Sequence, residues 1–130
     1  MTASDLDRTW EHLTIKETYD ENGKLTEYGF DGFSVPAGWV ILVDKLCLSI
    51  SSYLLNNPEV PKIKIEQVKS KFAGLRFYYS GGDEVIRRMV SLAEKLSEEM
   101  CEYCGSTVDV VKEGSWITNV CKNCKEKNNV

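Results

Sequence analysis

An α+β fold is predicted for this 130-residue chain by three observations. Apolar residues recur at helical spacing from Trp39 to Leu55 and again from about Asp83 to Met100. Between those stretches, Val60–Val68 and Leu75–Tyr79 alternate apolar and polar residues on either side of a break at Ser70–Gly74, the pattern of a β-hairpin. Past the second helix, two Cys-x-x-Cys pairs flank a short strand–turn–strand pattern. Together these imply a small antiparallel β-sheet packed on a central helix, a second helix, and a C-terminal ribbon. The expected divisions are a core at residues 1–100, a ribbon at 101–124 and a flexible tail at 125–130.

The elements follow in order. Ser4 followed by Asp7 marks the start of a short helix through about His12. In "LTIKETYDENGKLTEYGF", Leu13, Ile15 and Tyr19 fall on alternating positions, and Asn22-Gly23 is the dipeptide a tight primed turn prefers. Gly29, Gly32 and Pro36-Ala37-Gly38 punctuate a loop. From Trp39, the residues Leu42, Val43, Leu46, Ile50, Tyr53 and Leu54 keep helical spacing, while Val40, Ile41, Leu48 and Leu55 make more than one side apolar. This is therefore the central buried helix, and Asn56-Asn57-Pro58 ends it. In the hairpin, Leu75, Phe77 and Tyr79 should face the core, with Arg76 and Tyr78 facing out. Gly81-Gly82-Asp83 leads into the second helix, whose core stripe is Ile86, Met89, Val90, Ala93, Leu96 and Met100.

Composition is that of a globular protein, 42% hydrophobic and 28% charged, long enough to bury a core without metal or disulfides. A net charge of −4 argues against general attraction to nucleic acid or anionic membranes. The opening "MTASDLDRTW" is not a signal peptide, and Asp44-Lys45 interrupts the longest apolar run, so a cytoplasmic protein without a membrane span is expected. The charge is unevenly placed: residues 1–35 carry a net −5, and residues 62–79 a net +4.

Five cysteines in a reducing compartment argue against a disulfide scaffold. Cys101-x-x-Cys104 and Cys121-x-x-Cys124 lie sixteen residues apart, enough for a hairpin of Val108–Val111, a turn at Glu113-Gly114-Ser115, and Trp116–Val120. Each Cys-x-x-Cys turn aims two thiolates at one point, and Gly105 relieves the tight backbone of the first. Four soft ligands in tetrahedral array suit one structural Zn²⁺, the plan of a zinc ribbon. A redox dithiol needs one pair and usually opens a helix, whereas the first pair here closes one; an iron–sulfur cluster can also use four thiolates. Lys112, Lys122 and Lys125 lie near enough in sequence to offset the negative centre. Cys47, inside the central helix, reads as a small core side chain.

"VKSKFAGLRFYYSGG", followed by an acidic helix and "CEYCG…W…CKNC", resembles a family of small uncharacterised proteins of bacteriophages and bacteria. The residues carrying it are Val68, Lys69, Lys71, Phe72, Gly74, Leu75, Arg76, Phe77 and Tyr78, with Gly38-Trp39 upstream; it spans roughly residues 38–124. Ala73 stands where the family usually has Gly, which questions any need for positive φ there. The resemblance implies no established activity. It does imply phage or prophage origin, and with it a role in blocking a bacterial defence system.

Two surfaces are candidates for function. The acidic N-terminal segment offers Tyr19, Asp20, Glu21, Glu27, Tyr28, Phe30 and Phe33 as aromatic anchors ringed by charge, suited to a host protein. The same rings can instead cover the central helix. The alternative is a nucleic-acid surface on Lys69, Lys71, Arg76 and Tyr78 within the basic hairpin. With His12 as the single histidine, no Ser-His-Asp or Cys-His set can be assembled, and a non-enzymatic binding protein is expected. The oligomeric state is left open.

Overall fold

The computed structural model describes residues 1–128; Asn129 and Val130, the end of the expected tail, lie outside it. The chain is α+β, with its metal-ligand type residues gathered at the C-terminal end. Helix α1 (Ala3–Thr9) starts two residues earlier than Ser4 suggests, because the Thr2 amide donates to the Asp5 carboxylate at 2.7 Å and closes the first turn. A 3₁₀ turn at Glu11–Leu13 follows.

Strands β1 (Thr18–Tyr19) and β2 (Leu25–Glu27) form a separate two-stranded ribbon. Its turn differs from the predicted primed one. Gly23 has φ +80 whereas Asn22 stays at negative φ, and the Gly23 amide bonds Asp20 O at 3.0 Å. Asp20 holds this wider turn by accepting from the Asn22 and Lys24 amides, each at 2.9 Å.

The main sheet has the order β3 (Phe33–Ser34), β4 (Lys64–Lys71), β5 (Gly74–Ser80). β4 and β5 form the expected antiparallel hairpin, paired from Lys64↔Ser80 to Lys71↔Gly74. The ladder runs on through the predicted break, and the chain reverses on Phe72-Ala73 alone, at φ +52 and +59. Two residues at positive φ make this a type I′ turn, so Ala73 does adopt the conformation its departure from Gly put in question. β3 adds a parallel edge, Phe33 opposite Val68, within what reads as a loop in sequence. Asp7 of α1 fixes it there by accepting from the Phe33 amide at 2.8 Å.

Helix α2 (Val40–Asn56) follows a 3₁₀ turn at Ala37–Trp39 and buries Val40, Val43, Leu46, Cys47 and Ile50. By length and mean hydropathy (20 residues, 1.5) the stretch Ala37–Asn56 is apolar enough to cross a membrane; here it is the core helix. Asp44, which interrupts its apolar run, accepts from Trp10 Nε1 at 3.0 Å. Helix α3 (Glu84–Ser97) contributes Ile86, Val90 and Ala93 to the same core. It also covers the free edge of β5: the Leu75 amide donates to Ser97 Oγ at 2.9 Å and the Phe77 amide to Glu94 Oε2 at 3.0 Å.

The C-terminal hairpin pairs β6 (Val110–Glu113) with β7 (Thr118–Cys121), joined by a longer turn than Glu113–Ser115. Lys125–Asn128, expected as tail, belong to helix α4 (Lys122–Asn128). The helix is tied back by a Lys125–Glu113 ion pair at 2.5 Å.

Candidate metal centre

The first cysteine pair sits on the turn that follows α3, and the second where β7 passes into α4. These elements converge, so that the Sγ atoms of Cys101, Cys104, Cys121 and Cys124 all lie within 4.8 Å of one another. Cys104 and Cys121 are 3.7 Å apart. A tetrahedral ion bound at about 2.3 Å spaces its sulfurs by about 3.8 Å, so the donor set fits one soft ion. Cys101, Cys121 and Cys124 are buried and Cys104 is exposed. The four cysteines can hold one metal ion.

The electrostatics favour a cation at the centre. Burial raises the Cys101 thiol, but the backbone amides of Cys121, Cys104 and Tyr103 outweigh it and hold it down to about 6. Cys124 is pushed up to about 12, by burial first and then by its three sulfur neighbours. Thiolates gathered this closely repel one another, and a divalent ion offsets that repulsion. Amides aimed at sulfur help: Ser106 N lies 3.4 Å from Cys104 Sγ, and Cys124 N 3.4 Å from Cys121 Sγ. The lysines predicted to offset the charge are partly engaged elsewhere. Lys112 donates to Asn119 Oδ1 at 2.8 Å and Lys125 pairs with Glu113.

The centre is bound into the core rather than appended to it. Gly38 N donates to Glu102 O at 2.9 Å, and Trp39 Nε1 to Met100 O at 3.1 Å. A Cβ on Gly38 would fall 2.1 Å from Cys101 O, which is why glycine precedes the tryptophan. On the other side Asn119, fully buried on β7, donates from Nδ2 to Ala73 O at 2.6 Å and Ser97 O at 3.2 Å, while its amide donates to Glu102 Oε2 at 2.6 Å. Sequence reasoning missed Asn119, since nothing local marks a strand asparagine as buried. Gly38-Trp39 stood out in the sequence only as a helix-opening pair within the family resemblance.

The remaining predicted residues divide. Tyr19 and Tyr28 are exposed, as are Asp20, Glu21 and Glu27. Phe33 is 4% exposed and packs edge-on to Phe30, with ring centres 4.8 Å apart, against the core. Phe33 is thus a core residue and not an exposed anchor, because β3 pairing turns it inward. Asp20 is occupied in its own turn. On the basic hairpin, Lys69 stands opposite Arg76 and its Nζ lies 6.0 Å from the Tyr78 ring centre. Cys47 is fully buried, and burial, with Asp44 adding to it, raises its pKa so that it stays a thiol. Compared with known proteins, the chain matches no family model, no curated protein and no solved structure.

Proposed function

We propose that the chain is a non-enzymatic, zinc-binding accessory protein that acts in the host cytoplasm by binding a host protein. Its origin is a phage or prophage, and its effect is to blunt a bacterial defence system. The observation that carries the zinc assignment is the gathering of four cysteine sulfurs within 4.8 Å of one another. All four tetrahedral positions are then filled by protein, leaving none for an activated water, so the metal's role is structural. The phage origin and the counter-defence role rest on the sequence resemblance alone.

The test begins with the purified chain. Elemental analysis should find one zinc per protein, released by Cys101→Ser; iron, or no metal, would sink the assignment. Affinity purification from bacterial cells should then recover a protein partner. A second reading, nucleic-acid binding, is favoured by Lys69, Lys71 and Arg76, none of which forms an ion pair among the described residues. It requires DNA or RNA affinity that falls steeply with salt and is lost in Lys69→Glu with Lys71→Glu.

A further inference from the structure

The Phe72-Ala73 turn holds two adjacent non-glycine residues at positive φ, φ +52 and +59. Such backbone persists only where surrounding structure enforces it. Here the enforcing contact is the buried Asn119 side chain, whose Nδ2 lies 2.6 Å from Ala73 O. The result is that Phe72 stands 77% exposed at the hairpin tip. Across from it, the turn between β6 and β7 presents Trp116 at 89% exposed and Ile117 at 47%. The two turns face each other over a cleft of about 400 Å³, lined also by Ser70, Lys71 and Glu102. Neither the core nor the ribbon makes this cleft alone.

Its chemistry is an apolar floor with a cationic rim. Lys71 Nζ lies 5.6 Å from the Phe72 ring centre, and Lys69 and Arg76 continue the positive charge along the hairpin. None of the three has a carboxylate partner among the described residues. The acid in the cleft, Glu102, spends its carboxylate on the Asn119 amide at 2.6 Å. Further along the same hairpin the field reverses, for Tyr78 borders a second concavity shared with Glu27, Asp31 and Glu66. A nucleic-acid strand following the hairpin would run its phosphates into those acids. A short peptide needs positive charge only within about 10 Å, the screening length at moderate salt.

We propose that this cleft binds an acidic peptide segment of a partner protein, with an apolar side chain held between Phe72 and Trp116 and a carboxylate on Lys71. The inference rests on the protein-binding reading above and moves the docking surface from the acidic N-terminal hairpin to the junction of hairpin and ribbon.

The experiment selects a displayed library of random short peptides on the full-length protein as purified. Enriched sequences should combine Asp or Glu with Leu, Phe or Trp. Because Trp10 and Trp39 are buried at 7% and 0% exposed, acrylamide quenching of tryptophan fluorescence reads mainly Trp116, and bound peptide should suppress it. Phe72→Asn keeps the turn, since asparagine tolerates positive φ. It and Trp116→Ala should each weaken binding at least about tenfold, the usual weight of a central aromatic anchor, without lowering Tm. Lys71→Glu should weaken it too. No enrichment, or enriched peptides bound equally by both ring variants, overturns the cleft. An oligothymidylate that binds the wild type and not Phe72→Asn also overturns it, in favour of nucleic acid. A cellular protein captured equally by wild type and both ring variants removes the cleft but leaves the protein-binding reading standing; no captured protein and no enriched peptide removes both.

Discussion

Gly38 and Gly105 meet backbone to backbone, and that contact lets the first cysteine turn sit on the start of α2. A Cβ at Gly38 would lie 2.1 Å from Cys101 O and 2.8 Å from Gly105 N, with no flexible atom to yield. Gly38→Ala should therefore cost about 1–3 kcal/mol, as overpacking does, and loosen the metal; denaturant midpoints and a competitive zinc titration read both effects. Asn119→Ala strips Ala73 O of its donor, leaves Ser97 O with the Met100 amide alone and takes the acceptor from the Lys112 ammonium, a loss of about 2 kcal/mol. Ala73 is closely balanced. Releasing its positive φ recovers about 1–2 kcal/mol, while the added freedom of glycine in the unfolded chain costs about 0.4–1 kcal/mol and the lost buried methyl about 0.8 kcal/mol, so Ala73→Gly should be near neutral, seen as an almost unchanged Tm. At this scale the cysteine quartet was legible in the sequence because ligand spacing is local. Asn119 was not, because its partners Ala73 and Ser97 come from distant elements.

The elements that periodicity revealed are those whose burial is repeated along the chain: α2, the β4–β5 hairpin and α3 all show an apolar face over two turns or several strand residues. β3 is two residues long and exists because β4 and Asp7 accept it. α4 has no apolar stripe and is held by its end, through Cys124 and the Lys125–Glu113 pair. Helix α3 begins on Asp83, whose carboxylate accepts from the Val85 and Ile86 amides at 3.1 and 3.2 Å and from the Tyr53 hydroxyl at 2.5 Å. The Tyr53 hydroxyl first, and then those amides, hold the Asp83 carboxyl below its ordinary range. A carboxyl lowered on folding stabilises fully above its unfolded pKa of about 4, and that contribution disappears as pH falls through the folded value. Asp83→Ala should thus lower Tm at neutral pH, with the gap from wild type closing in acid. Tyr53→Phe should show a smaller deficit with the same pH trend. Parallel curves down to strong acid would mean that the cap acts through shape rather than charge.

At the scale of the molecule, metal loss is the informative perturbation. Sequence alone leads one to expect that metal loss unfolds the ribbon and leaves much of the core folded. The ribbon part of that expectation follows from its interior: Cys101, Val120, Cys121 and Cys124 with Val110 are its buried cluster, so three of the four ligands are also its core and only Val120 and Val110 remain to hold it without the ion. The main core is larger and has its own cluster around Trp39, Val43, Ile50, Leu75 and Ile86. Yet three bonds cross the junction, from Gly38 and Asn119, and a fourth, from Trp39 to Met100 O, ties down the residue just before it; they satisfy groups at the start of α2, the β4–β5 turn and the end of α3. Stripping the metal with a chelator, or placing Cys101→Ser, should leave the core folded but with a lower Tm. Amide hydrogen exchange should show where the loss falls. β6 and β7 should lose protection outright, and Gly38 and its neighbours should exchange faster, while Ile50 in the middle of α2 stays protected. A core melting temperature unchanged by metal removal would show that the junction bonds form without contributing to stability. Loss of protection at Ile50 as well would show instead that ribbon and core fold as one cooperative unit.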